Sequence, residues 1–516
     1  MTFGVTSNTA PAGFDPKRDL PPGFFEHYLE LHRAFTPRQQ AHAAARKRAL
    51  ADAHAGRLPD HLPASEATTR DWRIELPDWC ADQRNQMTGP ADDAELVVKM
   101  LNSGAPGVMI DLEDSMANEW SNLMRGHANA VEALHQTLSY HDDKRGGRVT
   151  IKPSPTVTWV RVRGLHLHQA GVVGGELTSA SLFDLALLVH QIDPARIKHP
   201  LAIYIPKSES ADEANWWSDV FKRLARDKGL PEGSIRCMAL VEAHPMAYRM
   251  EEFLFPLRDY IVGLNLGRWD YMASLIHFNL PNPAWVLPDR NTIPHDVAFF
   301  QRVRELLPEL CHRRGMLAIG GMTALFPSRT DAELNARALA VLEKDKRNEA
   351  SALMDGAWTG HPDQNAIAVA QFPAPNQGFR RPEGIDRYPG LRPEPVGVGA
   401  RTLAGSRAAA RVTILYRAGV LAGRGASLID GYMEDLATDR IYRVMLAQRV
   451  LHRDRVEVVG DNGRPIVHSP ELLTRLYDEE LAALVARCQD GPERERLIQA
   501  RRESEAMIVA GRHDPV

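Results

Sequence analysis

Six apolar runs in the middle of the chain end in residues that can carry chemistry. They close with DLED (Asp111, Glu113, Asp114), RVRG (Arg161, Arg163), PKSE (Lys207, Glu209), VEAHP (Glu242, His244), GLNLGRWD (Arg268, Asp270) and GAWTGHP (Trp358, His361). A single carboxylate in such a place is ordinarily a helix cap or half of a solvated ion pair. Charged residues ending five successive runs point to one shared polar rim, because a purely structural framework has no reason to collect them. Carboxylates, guanidinium groups and a lysine are the groups that bind hard cations, move protons and hold developing negative charge. Other chemistries lack their signatures. No P-loop, HExxH or GxSxG occurs, and GVGART lacks the third glycine of a dinucleotide fingerprint and follows no strand. Cys80, Cys237, Cys311 and Cys488 are scattered, with no CxxC and no histidine cluster, so neither zinc nor a disulfide framework is expected. His166, His168, His244 and His361 read as packing or capping residues.

A rim of this kind needs a scaffold that brings strand ends together. Eight short apolar runs, at 85–90, 107–114, 157–164, 201–207, 235–242, 260–270, 316–322 and 351–358, alternate with helix-like segments. The helical segments lie at 91–101, 118–138, 179–190, 211–226, 245–257, 297–314 and 331–346. Eight strands alternating with helices predict an α/β fold, a closed (β/α)8 barrel whose active site sits at the C-terminal strand ends. The expected division is an N-terminal helical clasp over 1–80 and the barrel over 81–371, then a proline-rich linker over 372–398 and an all-α C-terminal domain over 399–516. The clasp would hold helices at 24–35 and 39–55, and the C-terminal domain helices at 401–421, 436–451, 470–488 and 492–508. The 516 residues are 44% hydrophobic and 25% charged, with a net charge of -4. That balance offers no basic field for nucleic acid or an anionic membrane. With no apolar run of about 18 residues and no signal-like leader, a soluble cytoplasmic protein is expected.

The ordered motifs resemble the malate synthases, in their shorter form without an extra α/β insertion. The resemblance rests on LNSGAPGVMIDLEDSMANEW, on RVRGLHLH followed by SASLFD, and on IPKSESADEANWWSDVF, GLNLGRWDYMAS, VLPDRNTIP, IGGMTALFP, DGAWTGHP and GYMEDLATDRIYR. It runs from near Leu20 into the C-terminal helices. It implies a Mg²⁺-dependent enzyme of the glyoxylate cycle that condenses acetyl-CoA with glyoxylate to give malate and free CoA. Carried over by position, the metal ligands fall on Glu242 and Asp270. Glyoxylate would meet Arg163 and the segment Gly267, Arg268, Trp269 and Asp270, with Trp358 either beside it or simply in the core. Arg163 would hold the developing alkoxide, and Arg161, one layer lower on the same strand, would be a structural ion-pair partner. The base falls on Asp435, with its neighbour Glu434 as rival. Adjacent helical residues point about 100° apart, so one alone can face the site. The residues themselves do not choose, and the resemblance chooses Asp435, leaving Glu434 with Glu113 and Asp114 in supporting positions. The base would lie outside the barrel, so the C-terminal domain must cap the barrel mouth.

The departures from the family cluster in one region. GRGASLIDGY stands where the family has a segment like GNGCVPIYGL, so Ala426, Leu428 and Asp430 replace a cysteine, a proline and an aromatic residue. The helix after MED, LATDRIYRVMLAQRVLH, has no tryptophan, and Leu165 stands where a tryptophan is usual. These changes fall on the side expected to meet the acyl-CoA. One alternative is therefore a related enzyme that takes a longer acyl-CoA or acts as a hydroxyacyl-CoA lyase. Another is a non-catalytic paralogue that binds CoA or a metabolite, against which the intact Arg163, Glu242, Asp270 and Asp435 argue.

Overall fold

A computed structural model describes residues 7–144, 146–395 and 397–509. Its centre is a closed barrel of eight parallel strands in sequential order. The strands are β1 (Asn85–Pro90), β2 (Gly107–Asp111), β3 (Val157–Arg161), β4 (Leu201–Ile205), β5 (Ile235–Val241), β6 (Ile261–Leu266), β7 (Leu317–Met322) and β8 (Gly356–Thr359). Each pairs with its sequence neighbour, and β8 closes the ring on β1. Strands buried on both faces must be apolar nearly throughout, which is why they read as runs in the sequence. Inward-facing Met109, Trp159, Tyr204, Met238, Leu240 and Ile319 belong to the cluster that fills the barrel. The polar β1 is accommodated by hydrogen bonds. Gln86 Oε1 accepts from Trp358 Nε1 at 2.9 Å and from the Tyr204 hydroxyl, and Asn85 Nδ2 donates to Thr359 Oγ1 at 3.0 Å.

Several expected runs overshoot their strands. The run 260–270 is strand only to Leu266, and Arg268–Phe278 is a helix that the sequence pattern did not separate from it. Pro362–Gln371 is a further helix not anticipated. The segment 245–257 is broken into His244–Ala247, Met250–Leu254 and a 3-10 turn, with prolines at 245 and 256. At the N-terminal side, one 31-residue helix, Phe24–His54, replaces the two expected. Pro37 removes one hydrogen-bond donor without ending it. Tertiary anchors hold the helix on both sides of that residue. Tyr28, Leu31 and Phe35 are buried before it, while Gln39 and Arg46 after it bond the Leu165 and Lys207 carbonyl oxygens at 2.6 Å each.

Residues 372–400 cross the surface without helix or strand among the described residues. The C-terminal region then supplies helices Leu403–Leu421, Leu436–Leu451, Pro470–Val485 and Pro492–Val509. Where a wholly helical region was expected, two short antiparallel ribbons also occur, Ser427–Ile429 with Tyr432–Glu434 and Val458–Val459 with Pro465–Ile466. The first turns at Asp430 (φ 51°) and Gly431 (φ 84°), a left-handed pair that suits the Asp-Gly hairpin signature. It is pinned over the loop after β7, since Phe326 N donates to Gly431 O at 2.9 Å and Met433 N to Ala324 O at 2.8 Å. Among the described residues no helix is long and apolar enough to cross a membrane.

Closure of the barrel makes a glycine requirement testable. A Cβ on Gly356, the first residue of β8, would stand 2.8 Å from the Arg84 Cα and overlap the Gln83 carbonyl oxygen. Both are backbone atoms leading into β1 and cannot swing aside. Gly356→Ala is expected to lose about 1–3 kcal/mol of stability, seen as a lower denaturant midpoint. An unchanged midpoint would show that the β8–β1 seam is loose.

Candidate active site

The barrel's inward alternation brings one arginine to its mouth. Val157 and Trp159 of β3 face the interior, and Arg161, two residues on, ends the strand on the same side. Opposite it in the β2–β3 register is Asp111. The two form a forked pair, with Arg161 Nε and Nη2 each 2.6 Å from an Asp111 oxygen. Burial pushes Asp111 up, but the Arg161 charge outweighs it and holds the carboxyl below its ordinary range. The remaining edge, Nη1, lies 3.6 Å from Glu113 and 3.7 Å from Asp114. The guanidinium stands 5.7 Å from the Trp358 ring, which forms part of the cavity wall.

Two more carboxylates arrive from β5 and β6. Glu242 is the first residue after β5 and accepts the Lys207 N–H at 2.7 Å. It lies against Gly267, where a Cβ would be 2.5 Å from Glu242 Oε2, so the bare glycine makes room for it. Asp270 sits in the first turn of helix Arg268–Phe278 rather than on a strand, and its Oδ1 accepts from Arg440 Nη1 at 2.7 Å. The first-turn N–H groups of that helix have no carbonyl partner within it and suit a carboxylate ligand. The Lys207 ammonium bonds Asp114 and stands 3.1 Å from Glu113, 3.4 Å from Asp270 and 4.0 Å from Glu242. Burial drives Glu242 well above its ordinary value; Lys207 offsets this only in part and Asp270 adds to it. Burial also raises Asp270, yet Lys207 and Arg440 together hold it below normal.

Asp435 completes the cavity from the other end of the chain. It is the N-cap of helix Leu436–Leu451, its Oδ1 accepting from Ala437 N at 3.0 Å and Thr438 N at 3.3 Å. Oδ2 takes no part in these bonds, and Asp435 lines a cavity of about 330 Å³ together with Asp114, Arg161, Glu242 and Asp270. Desolvation, then the charges of Asp114 and Asp270, pushes Asp435 up to about 7. Glu434 turns the opposite way, its oxygens 2.7 and 2.9 Å from Arg290 Nη1. The two neighbours diverge at a strand-to-helix junction and not, as expected, within one helix.

Arg163 does not reach this cavity, contrary to expectation. β3 ends at Arg161, so its alternation no longer governs residue 163. The Arg163 guanidinium folds back onto Asp184 of helix Ala180–Gln191, with Nε at 2.9 Å and Nη2 at 2.7 Å. Arg268 contributes its place in the chain but not its charge, which is spent on Asp345 at 2.7 and 2.8 Å. Trp269 lines the cavity and donates Nε1 to Met322 O at 3.1 Å. Trp358 is both core and cavity wall. Glu113 is buried beside Lys207, and burial pushes it up to about 8. His244 is packed against the Tyr248 and Tyr271 rings, and His361 caps helix Pro362–Gln371. Arg161, Lys207 and Arg440 are the site residues that sequence reasoning missed or placed elsewhere. Continuing the inward alternation of β3 only to the strand's end would have found Arg161.

The cavity's donor set suits a divalent cation. Among the described residues no three histidine, cysteine or acidic side chains stand at ligand spacing. Glu242, Asp270 and Asp114 nevertheless offer oxygen to one cavity, and Asp114 Oδ1 is buried without a hydrogen-bond partner. Five buried carboxylates and Asp435 face three cations, Arg161, Lys207 and Arg440. Oxygen donors in excess of the cations that face them, and room for water, fit a hard cation.

The two arginines of β3 and its exit separate cleanly by experiment. Arg161→Lys is expected to cut turnover at least about 100-fold, because the forked pair with Asp111 cannot be rebuilt. Arg163→Lys is expected to lower the unfolding temperature while leaving turnover near wild type. The opposite pattern would return the substrate-facing role to Arg163.

Comparison with known proteins agrees with the geometry. The family model for the malate synthase TIM barrel domain matches residues 157–384, and that for the malate synthase C-terminal domain matches 400–508. Malate synthase of Streptomyces clavuligerus is 38% identical, with 92% of this chain and 90% of that protein covered. Malate synthase A of Escherichia coli (strain K12) is 35% identical, covering 97% and 93%. A solved Haloferax volcanii malate synthase, described as a ternary complex with pyruvate and acetyl-CoA, superposes with a TM-score of 0.51. At 16% identity over 81% of this chain and 98% of that one, it shares the fold. By sequence over nearly its whole length, this chain belongs to the malate synthase family.

Proposed function

We propose that the cavity joins the methyl carbon of acetyl-CoA to the aldehyde carbon of glyoxylate and releases malate and CoA. In this reading the barrel holds the metal and the 2-oxo acid, and the region from residue 399 onward supplies the base. One observation carries it: Asp435, far from the barrel in sequence, opens onto the same cavity as Glu242, Asp270 and Arg161. Glu242 and Asp270 would hold Mg²⁺, whose preference for oxygen ligands and retained water suits two carboxylates in a wet cavity. Bound there, the cation would supply Lewis acidity toward the oxygens of the 2-oxo acid.

The chain's own groups account for the rest. The N–H groups at the start of helix Arg268–Phe278 would orient the glyoxylate carboxylate. Asp435 would take a methyl proton through Oδ2, since Oδ1 is held by the helix N–H groups. The carbanion then attacks the aldehyde carbon, and Arg161, with Nη1 free of Asp111, would hold the oxygen as it becomes an alkoxide. Water hydrolyses the resulting thioester, and departure of CoA draws the reaction forward. Proton transfer of this kind contributes about 10²–10⁴-fold, so positioning and charge must supply most of the rate.

Thiol release from acetyl-CoA with glyoxylate and Mg²⁺ tests the reaction as a whole. Asp435→Asn, nearly isosteric, is expected to keep glyoxylate affinity and lose turnover by about three orders of magnitude or more. In D₂O with a non-reacting glyoxylate analogue, wild type is expected to exchange the acetyl-CoA methyl protons, as is Glu434→Gln, while Asp435→Asn does not. Exchange that survives Asp435→Asn and vanishes in Glu434→Gln would make Glu434 the base. The pH profile adds a sign. Asp435 must be ionised to act, so kcat should fall as pH drops below its pKa. A bound cation offsets Asp114 and Asp270, so the limb should lie at or below the metal-free position near 7. A kcat that rises on acidification would reject Asp435 as the base.

A further inference from the structure

Lys207 is held with unusual care for a residue with no assigned role. Its backbone is left-handed, φ 47°, a conformation that residues with a Cβ rarely adopt. It is clamped there from two sides. The Lys207 N–H donates to Glu242 Oε1 at 2.7 Å, and its carbonyl accepts from Arg46 Nη2 at 2.6 Å. Arg46 is itself fixed by a forked pair with Glu213 at 2.8 and 2.7 Å. The clamp aims a buried ammonium, with 6% of the residue exposed, into the carboxylates of Asp114, Glu113, Asp270 and Glu242. Two of these are the proposed metal ligands.

We propose that Lys207 is the internal counter-ion of the metal site, neutralising the carboxylates before the metal arrives and then competing with it for them. The proposal rests on the assignment of Glu242 and Asp270 as ligands. A dication and an ammonium attracted to the same oxygens repel each other strongly where little water screens them. Arg161 and Arg440 are less suited to yield, since the first is committed by a fork to Asp111 and the second is fixed to Asp270 from the C-terminal helix. The lysine alone ends in a compact point charge on a flexible four-carbon stem, able to retreat toward Glu113 and Asp114. Its charge therefore offsets that of the carboxylates around it in the metal-free site, and sets metal affinity lower than the carboxylates alone would give.

The test is Mn²⁺ binding to the full chain without glyoxylate, followed by electron paramagnetic resonance and by calorimetry. Lys207→Met keeps the Cβ and approximate length, so the left-handed backbone is equally strained in both proteins. It is expected to bind Mn²⁺ at least tenfold more tightly than wild type. Its unfolding temperature should drop without metal and recover more steeply on adding Mn²⁺. Equal or weaker Mn²⁺ binding by folded Lys207→Met overturns the proposal. Should Lys207→Met not fold, Lys207→Gln is subject to the same expectation and the same refutation. Glu242→Gln separates the underlying assignment. If Mn²⁺ binding to wild type is indifferent to Glu242→Gln, the ligand assignment itself fails, and the role of Lys207 falls with it.

Discussion

Asp111, Glu113, Asp114, Glu242 and Asp270 are buried side by side at the barrel mouth, and buried carboxylates persist ionised only beside cations. Two unit charges 4 Å apart interact by about 4 kcal/mol at an effective dielectric constant of 20. That exceeds the roughly 1 kcal/mol of a helix cap and the 1–3 kcal/mol of a strained backbone. Charge therefore sets local structure here, and backbone preference yields to it. Arg161 reaches Asp111 because β2 and β3 stand in the register that sets them opposite each other. Lys207 accepts a left-handed backbone and thereby keeps its ammonium among four carboxylates. Arg440 comes from outside the barrel altogether.

That last pairing links electrostatics to assembly. Asp270 lies at the start of one helix and Arg440 within another, and the two helices pack against each other. The same docking seats Glu434 on Arg290, whose guanidinium also stands 4.7 Å from the Trp269 ring and 5.3 Å from that of Tyr442. With Glu434 fixed behind the wall, Asp435 is left to face the cavity. Asp435 then caps helix Leu436–Leu451 through Oδ1 while lining the cavity. The capping bonds give this carboxylate a fixed direction, which a side chain on a free loop would lack.

The barrel was legible because parallel strands covered on both faces must be largely apolar, so most left a run in the chain, the short polar β1 being the faintest. The ends of the runs were less legible. Apolar character continues past Leu266 into the buried helix that follows, which hid the change of structure just where Asp270 sits. Arg163 was misplaced for a related reason: two-residue alternation holds only while a strand lasts, and β3 stops at Arg161. The two helices expected at 24–35 and 39–55 are one, because the anchoring of Gln39 and Arg46 carries the helix past Pro37. Glu242, Asp270 and Asp435 line one cavity, whereas the Arg163 guanidinium is turned onto Asp184. The importance of Lys207 and Arg440 lies in contacts between elements far apart in sequence, which no local pattern records.

The departures from the family can be weighed by position. Leu428 is 60% exposed at the ribbon's edge, and Asp430 is a turn residue paired with Arg411 at 2.5 Å. Asp430 with Gly431 supplies the left-handed turn, so an acidic residue there serves the hairpin that aims Asp435. Leu165 is buried in the main hydrophobic core and its carbonyl is tied to the N-terminal helix, away from the cavity. Ala426 alone among these positions lines the cavity, where a small side chain replaces a thiol. Beside it, Gly425 presses against the Met116 backbone so closely that a Cβ would stand 2.5 Å from the Met116 Cα. The wall is thus fixed by backbone contact with the loop after β2, and a change of side chain at 426 alters its lining more than its course. Drift in this segment is confined largely to how the hairpin is built, while Glu242, Asp270 and Asp435 still line the cavity.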